Sequence, residues 1–222
     1  MAGRRDSKLD NPNRKKIVEV ARWLFYENGY GPTSLGDLAQ ASGIPKGNFY
    51  YHFRSKDDVL RAVVEARRLD VETQLEDWRR SLGSPRERLH RIVDMLVHDE
   101  DDLTRYGCPM GSLLTELGKA QRELQGEAFA VLERIVDFAQ AQFSECVSSS
   151  PKARELAIHL MGRCQGAVVM AHGFGSPEVL RRETASMRAW IDDTLKASNS
   201  SKGRRRTGTR TMTGSAQKGG KP

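Results

Sequence analysis

A chain of 222 residues, 38% of them hydrophobic and 29% charged, is long enough to bury a sizeable core as one domain, or as a small domain joined to a larger one. It has no run of eighteen apolar residues, and its opening "MAGRRDSKLDNPNRKK" lacks the apolar segment of a secretory signal, so a cytoplasmic protein with no membrane partner is expected. Three cysteines, Cys108, Cys146 and Cys164, form no CxxC pair and no His/Cys metal spacing; reduced thiols are expected, with no disulfide framework, no metal and no cofactor.

The net charge of +7 is unevenly placed. Residues 196–222 hold eight Lys/Arg and no acid, residues 1–60 hold ten basic and seven acidic residues, and residues 61–195 hold eighteen and twenty-two. A basic head and a basic tail thus flank an acidic body. The tail, residues 197–222, is rich in Gly, Ser, Thr and Arg and is expected to be disordered. Two readings of it stand open: a solubilising end, or a polycation drawn to DNA phosphates. Residues 1–12 are expected to form a disordered arm.

Between the ends the pattern is helical throughout, and an all-α fold is expected. Ile17, Val20, Ala21 and Leu24 recur at helical spacing after "DNPN", where Asn11 can cap and Pro12 can open the helix; Gly29 and Gly31 stop it. Ser34 and Asp37 have the form of a capping box for a short helix through Ala41, which Gly43 ends and after which Pro45 starts the next. A long helix is expected from Ser55 to about Arg80. Leu89, Ile92, Val93 and Leu96 share one face of a further helix that runs from "GSP" to a break at Gly107–Gly111. Helices over about 112–122, 126–147, 151–172 and 177–196 complete the expectation.

The two short helices, placed in register, meet the demands of a helix-turn-helix. Ala39 is small where the second helix crosses the first, Gly43 allows the tight turn, and Leu38, Ile44 and Phe49 lock the pair. That leaves Lys46, Gly47, Asn48, Tyr50, Tyr51 and His52 on the other faces of a helix that fits a major groove. Lysine and tyrosine suit phosphates, asparagine pairs with adenine, and Gly47 permits close backbone approach. Phe49 and Phe53 are expected to pack the head, with the tyrosine hydroxyls outward; the competing reading is that all four aromatics form a small core.

The stretch "TSLGDLAQASGIPKGNFYYHFRSKDDVLRAVVE" resembles the N-terminal signature of the TetR family of bacterial transcriptional regulators, over about residues 13–65. Gly43, Gly47, Tyr50, His52, Phe53 and Lys56 all fall in place; Gly36 departs from it and should soften its helix. The resemblance implies an all-helical homodimer with a DNA-binding head, here residues 13–58, and an effector-binding and dimerisation body, here residues 59–196. It also implies that Thr33, Ser34, Lys46, Gly47, Asn48, Tyr50, Tyr51, His52 and Lys56 lie along the DNA surface. The implied partners are a double-stranded DNA operator, a small-molecule inducer and a second copy of the chain; repression is the commoner mode in that family.

In the body, Trp78, Met95, Leu96, Cys108, Leu113, Phe129, Phe138 and Met161 are candidates for lining an effector cavity, although such a stripe also reads as plain core. In "RYGCPMGSLLTEL", Pro109 at a first helical position makes Cys108 the N-cap, a setting that favours the thiolate and raises the alternative of a redox or electrophile sensor. For the dimer, Gly162 and Gly166 with Val169 allow close helix approach, and Met187, Trp190 and Ile191 supply an apolar stripe on the last helix. A remote alternative is an enzyme with Cys108 or Ser112 as nucleophile and His98 or His172 as base. No G-x-S-x-G elbow, paired-carboxylate motif or phosphate loop accompanies those residues, so no enzyme is expected.

Overall fold

In the computed structural model, which describes residues 11–118, 121–147 and 149–208 and the side chains of the last stretch as far as Ser198, every regular element is a helix. The head comprises α1 (Pro12–Glu27), α2 (Leu35–Ser42), α3 (Lys46–His52) and the start of α4 (Lys56–Ser81). The body adds α5 (Pro85–His98), α6 (Glu100–Tyr106), α7 (Pro109–Leu117), α8 (Arg122–Cys146), α9 (Ser150–Phe174) and α10 (Glu178–Gly208).

Local chemistry sets the helix starts. The Asn11 side chain accepts from the Asn13 N–H at 3.0 Å, with Pro12 opening α1. Reciprocal capping boxes, Ser34 with Asp37, Ser55 with Asp58 and Ser84 with Glu87, begin α2, α4 and α5 by satisfying N–H groups that have no partner inside the helix. Gly43, at φ +62°, makes the left-handed turn that closes α2.

Four boundaries differ from expectation. The helix expected from Pro85 to Gly107 breaks at Asp99, where Glu100, Asp101 and Asp102 favour a new first turn, and α6 begins there. α7 starts at Pro109, capped by Cys108, rather than at 112. Gly126 does not separate helices: α8 runs through it from Arg122, since a single glycine costs only about 1 kcal/mol in a helix otherwise held by packing. α10 continues past residue 196 to Gly208, where disorder was expected, because propagating an established helix is much easier than starting one. At the other end Asn11 caps α1 and Pro12 opens it, where the arm was expected; the rest of that arm, residues 1–10, and the tail from 209 lie outside the described residues.

The buried core falls into two clusters. Ile17, Leu38, Phe49, Leu60 and Val63 of the head lie in one buried cluster with Met110, Leu113 and Leu117 of α7 and with Leu124 to Leu132 of α8. A second cluster joins the far end of α4 to α5, the C-terminal half of α8, α9 and α10. α4, 26 residues and about 39 Å long, runs through both and ties head to body. No helix among the described residues is long and apolar enough to cross a membrane.

Candidate DNA-reading surface and effector cavity

α3 divides its residues by burial. Phe49 is fully buried, held with Ile44 and Phe53 against Leu38, Ala39 and Ile17; removing a ring of this kind from water stabilises the head by roughly 2–3 kcal/mol. Lys46, Gly47 and Asn48 are exposed, Tyr50 and Tyr51 are 51% and 66% exposed, and His52 is half-buried. The aromatic cluster therefore separates: two phenylalanines make the core and two tyrosines face outward. A Cβ on Gly47 would meet nothing within 4 Å in the subunit, so the chain's own packing does not demand glycine there.

Three residues expected along the same surface are committed elsewhere. Thr33 is buried and its hydroxyl donates to the Gly29 carbonyl at 2.7 Å. Ser34 is exposed, but its hydroxyl caps α2 and bonds to Asp37. The Lys56 ammonium donates to the carbonyls of Tyr30 and Gly31 at 2.8 and 3.0 Å and lies 4.3 Å above the Tyr30 ring. These side chains hold the α1–α2 turn against the start of α4. Sequence spacing puts them near the surface without revealing carbonyls 25 residues away as partners for the lysine.

Head and body meet at α7. The Tyr26 hydroxyl donates to the Gly107 carbonyl at 2.8 Å, and the Gly31 N–H donates to Glu116 at 3.0 Å. Burial and the neighbouring Asp102 push the Tyr26 phenol upward in pKa, so it remains a donor. Tyr106 stacks within 5.3 Å of Tyr26 and 5.7 Å of Trp23. Leu113, a cavity candidate by sequence, is buried in this joint instead.

Behind the joint lies a cavity of about 330 Å³, walled by α4, α5, α8 and α9 and closed by residues 108–110. Met95, Leu96, Cys108 and Met161 line it, as expected positions for a cavity. Trp78 and Phe138 do not: they pack edge to face at 6.1 Å in the body core. Phe129 does not either, being 51% exposed on the outside of α8. Arg67, Asp70, Asp99 and Gln165 are polar lining residues that periodicity gave no reason to choose, since charged residues on an amphipathic helix read as solvated. Cys108 caps α7, its sulfur accepting the Gly111 N–H at 3.4 Å.

A family model described as "Bacterial regulatory proteins, tetR family" matches residues 17–63, which contain the helix-turn-helix just described. A second, "Transcriptional regulator LmrA/YxaF-like, C-terminal domain", matches residues 85–186, which contain most of the cavity wall. The chain belongs to the TetR family. It is a ligand-responsive, DNA-binding transcriptional regulator. Among its relatives, the HTH-type transcriptional regulator AcrR of Shigella flexneri is 28% identical over 71% of this chain and 72% of its own length. The HTH-type transcriptional repressor DhaR of Mycobacterium sp. (strain GP1) is 27% identical over 68% and 75%. The fold matches that of a TetR regulator from Legionella pneumophila with a TM-score of 0.70 at 22% identity, over 83% of this chain and 97% of that one.

On this TetR-family body, α9 carries an uncovered stripe. Ile158 and Val169 are 54% and 67% exposed, Met170 is half exposed, and a Cβ on Gly162, Gly166 or Gly173 between them would meet nothing within 4 Å. At helical spacing these residues share one face. The stripe expected on α10 is not on that face: Met187 and Ile191 are fully buried against the subunit's own α5 and α9, and Trp190 packs on Phe143 and His159. The subunit needs that stripe to attach α10 at all, which leaves Ala185, Ser186 and Ala189 as small exposed residues beside it. As for the remote enzyme reading, the His172 ring bonds to the Thr104 carbonyl at 3.0 Å, and His98 lies in the open beside Asp99. Among the described residues neither histidine is hydrogen-bonded to Cys108 or Ser112.

Proposed function

We propose that this TetR-family chain is a cytoplasmic repressor, without enzymatic activity, that binds a pseudo-palindromic operator as a homodimer and is released by a small-molecule inducer. The observation that carries the reading is the division of α3, with Phe49 buried as the lock and Lys46, Asn48, Tyr50 and Tyr51 exposed on its outer faces. Open space around Gly47 supports close approach to a phosphate backbone. The dimer uses α9 and α10, with Gly162, Gly166 and Val169 of one subunit against the same residues of the other, and spaces two copies of α3 by one turn of DNA, about 34–36 Å. An inducer in the cavity pushes on residues 108–110 and on α7, whose Glu116 bonds to the head as does Gly107 just before it. The name of the relative DhaR, a repressor, supports the sign of regulation.

Recovery of short genomic fragments by the purified chain at near-physiological salt, followed by footprinting, tests this. The expected result is a protected pseudo-palindrome with two half-sites a helical turn apart beside a promoter. Retention of fragments without sequence preference would overturn the reading.

The position of Cys108, at the cavity wall and at the start of the helix that joins the head, favours a second reading in which its alkylation or oxidation is the signal. If so, treating the operator complex with N-ethylmaleimide releases the wild-type protein and leaves Cys108→Ser bound. Equal release of both would dispose of the sensor.

A further inference from the structure

The polar groups around the cavity differ in how well they are satisfied. Asp70 is half exposed and paired with Arg22 at 2.5 Å, and Asp99 is open to solvent. Arg67 is different. It is half-buried, it lines both this cavity and a more polar recess beneath Trp23 and Tyr26, and among the described residues its guanidinium makes no hydrogen bond or ion pair. Burial and the charge of Arg22 press its pKa down, against a weaker opposing pull from Asp70.

A guanidinium carries five N–H donors in a planar fork, and removing it from water without a partner is costly. Here a guanidinium that keeps contact with water and has no protein partner among the described residues stands at the edge of a chamber walled by Met95, Leu96, Ile135, Met161 and Val168. Exposed carboxylates such as Asp99 keep their hydration, so a cationic ligand would gain little from them. An oxyanion brought to Arg67 would gain a charge-assisted, two-pronged hydrogen bond in a partly dry site.

We propose that the cavity takes an apolar organic anion, its aryl or hydrocarbon body lying between Met95 and Met161 and its carboxylate or equivalent oxyanion on the Arg67 fork. This rests on the reading of the cavity as the effector site and names the chemical class of the effector. Arg67 stands on α4, the helix shared by head and body, so the anion binds to an element that carries the DNA-reading unit. It also relieves the repulsion between Arg67 and Arg22 of α1.

Fluorescence titration of the full chain with two dyes of one skeleton tests the assignment: 8-anilino-1-naphthalenesulfonate, an anion, and N-phenyl-1-naphthylamine, its uncharged counterpart. The wild type is expected to prefer the anion by about ten- to a hundredfold, the range of a hydrogen bond to a charged group. Arg67→Gln abolishes that preference by weakening the anion alone, Arg67→Lys retains part of it, and Met161→Trp, which fills the chamber, abolishes binding of both dyes. Thermal midpoints confirm that each variant is folded. Equal affinity for the two dyes, no binding of either, or an anion preference that survives Arg67→Gln would overturn the proposal. Operator occupancy measured on the same samples keeps the two readings apart: a wild type without dye preference but with intact DNA binding sinks only the ligand class, and a wild type that prefers the anion but does not bind DNA sinks only the regulator.

Discussion

The double variant Lys46→Ala/Tyr51→Ala is expected to lower operator affinity by at least roughly a hundredfold while leaving the fold and the dimer unchanged. Both side chains are exposed on α3 and neither contributes to the core that Phe49, Ile44 and Phe53 build. Each phosphate or base contact contributes about 1 kcal/mol or more, and a twofold dimer makes every contact twice, so four lost contacts exceed the roughly 2.8 kcal/mol that a hundredfold requires. Removing one lysine per subunit also flattens the dependence of log affinity on log salt by about two units, because two fewer counterions leave the DNA. Affinity and salt slope come from fluorescence anisotropy on the footprinted site; the urea midpoint and sedimentation mass verify the fold. Wild-type affinity in the variant, or loss of affinity that tracks a lower urea midpoint, would remove α3 as the reading element.

Val169→Asp is expected to convert the dimer to a monomer at micromolar concentration and to abolish operator binding at concentrations that saturate the wild type. Val169 is 67% exposed in the subunit, so a carboxylate there costs the isolated chain nothing in packing. In the proposed dimer, with Gly162 and Gly166 at the twofold axis, the two carboxylates would be buried close together without a cation, a penalty of about 3–5 kcal/mol and hence two to four decades in dimer affinity. A lone head then reaches only one half-site. Leu69→Asp is the control: Leu69 is half exposed on α4 rather than on α9, and its replacement should leave the mass unchanged. A Val169→Asp protein that sediments as a dimer, or a Leu69→Asp protein that does not, would relocate the interface.

The head was legible because its demands are local. Within twenty residues a capping box, a small residue at a helix crossing, a glycine at positive φ and two apolar locks must coincide, and Ser34, Ala39, Gly43, Ile44 and Phe49 supply them in order. The same locality does not reveal the partners of Lys56 within the subunit. Lys56 stands where the resemblance puts a DNA-facing lysine, yet its ammonium is held by the carbonyls of Tyr30 and Gly31 from the preceding helix-turn unit. The split at Asp99 was written in three consecutive acids that read equally well as the solvated side of one longer helix.

By itself the sequence determined the all-helical class, the helix-turn-helix and the exposed residues of α3, because helical periodicity and capping act between neighbours in the chain. Only the tertiary structure decided what each buried stripe is buried against. Met187 and Ile191 attach α10 to its own subunit, Leu113 belongs to the head–body joint, Trp78 to the core, and Arg67 to the edge of a cavity. An apolar stripe records that one face must leave water; which surface receives it depends on packing among helices far apart in sequence, where partners compete for the same face.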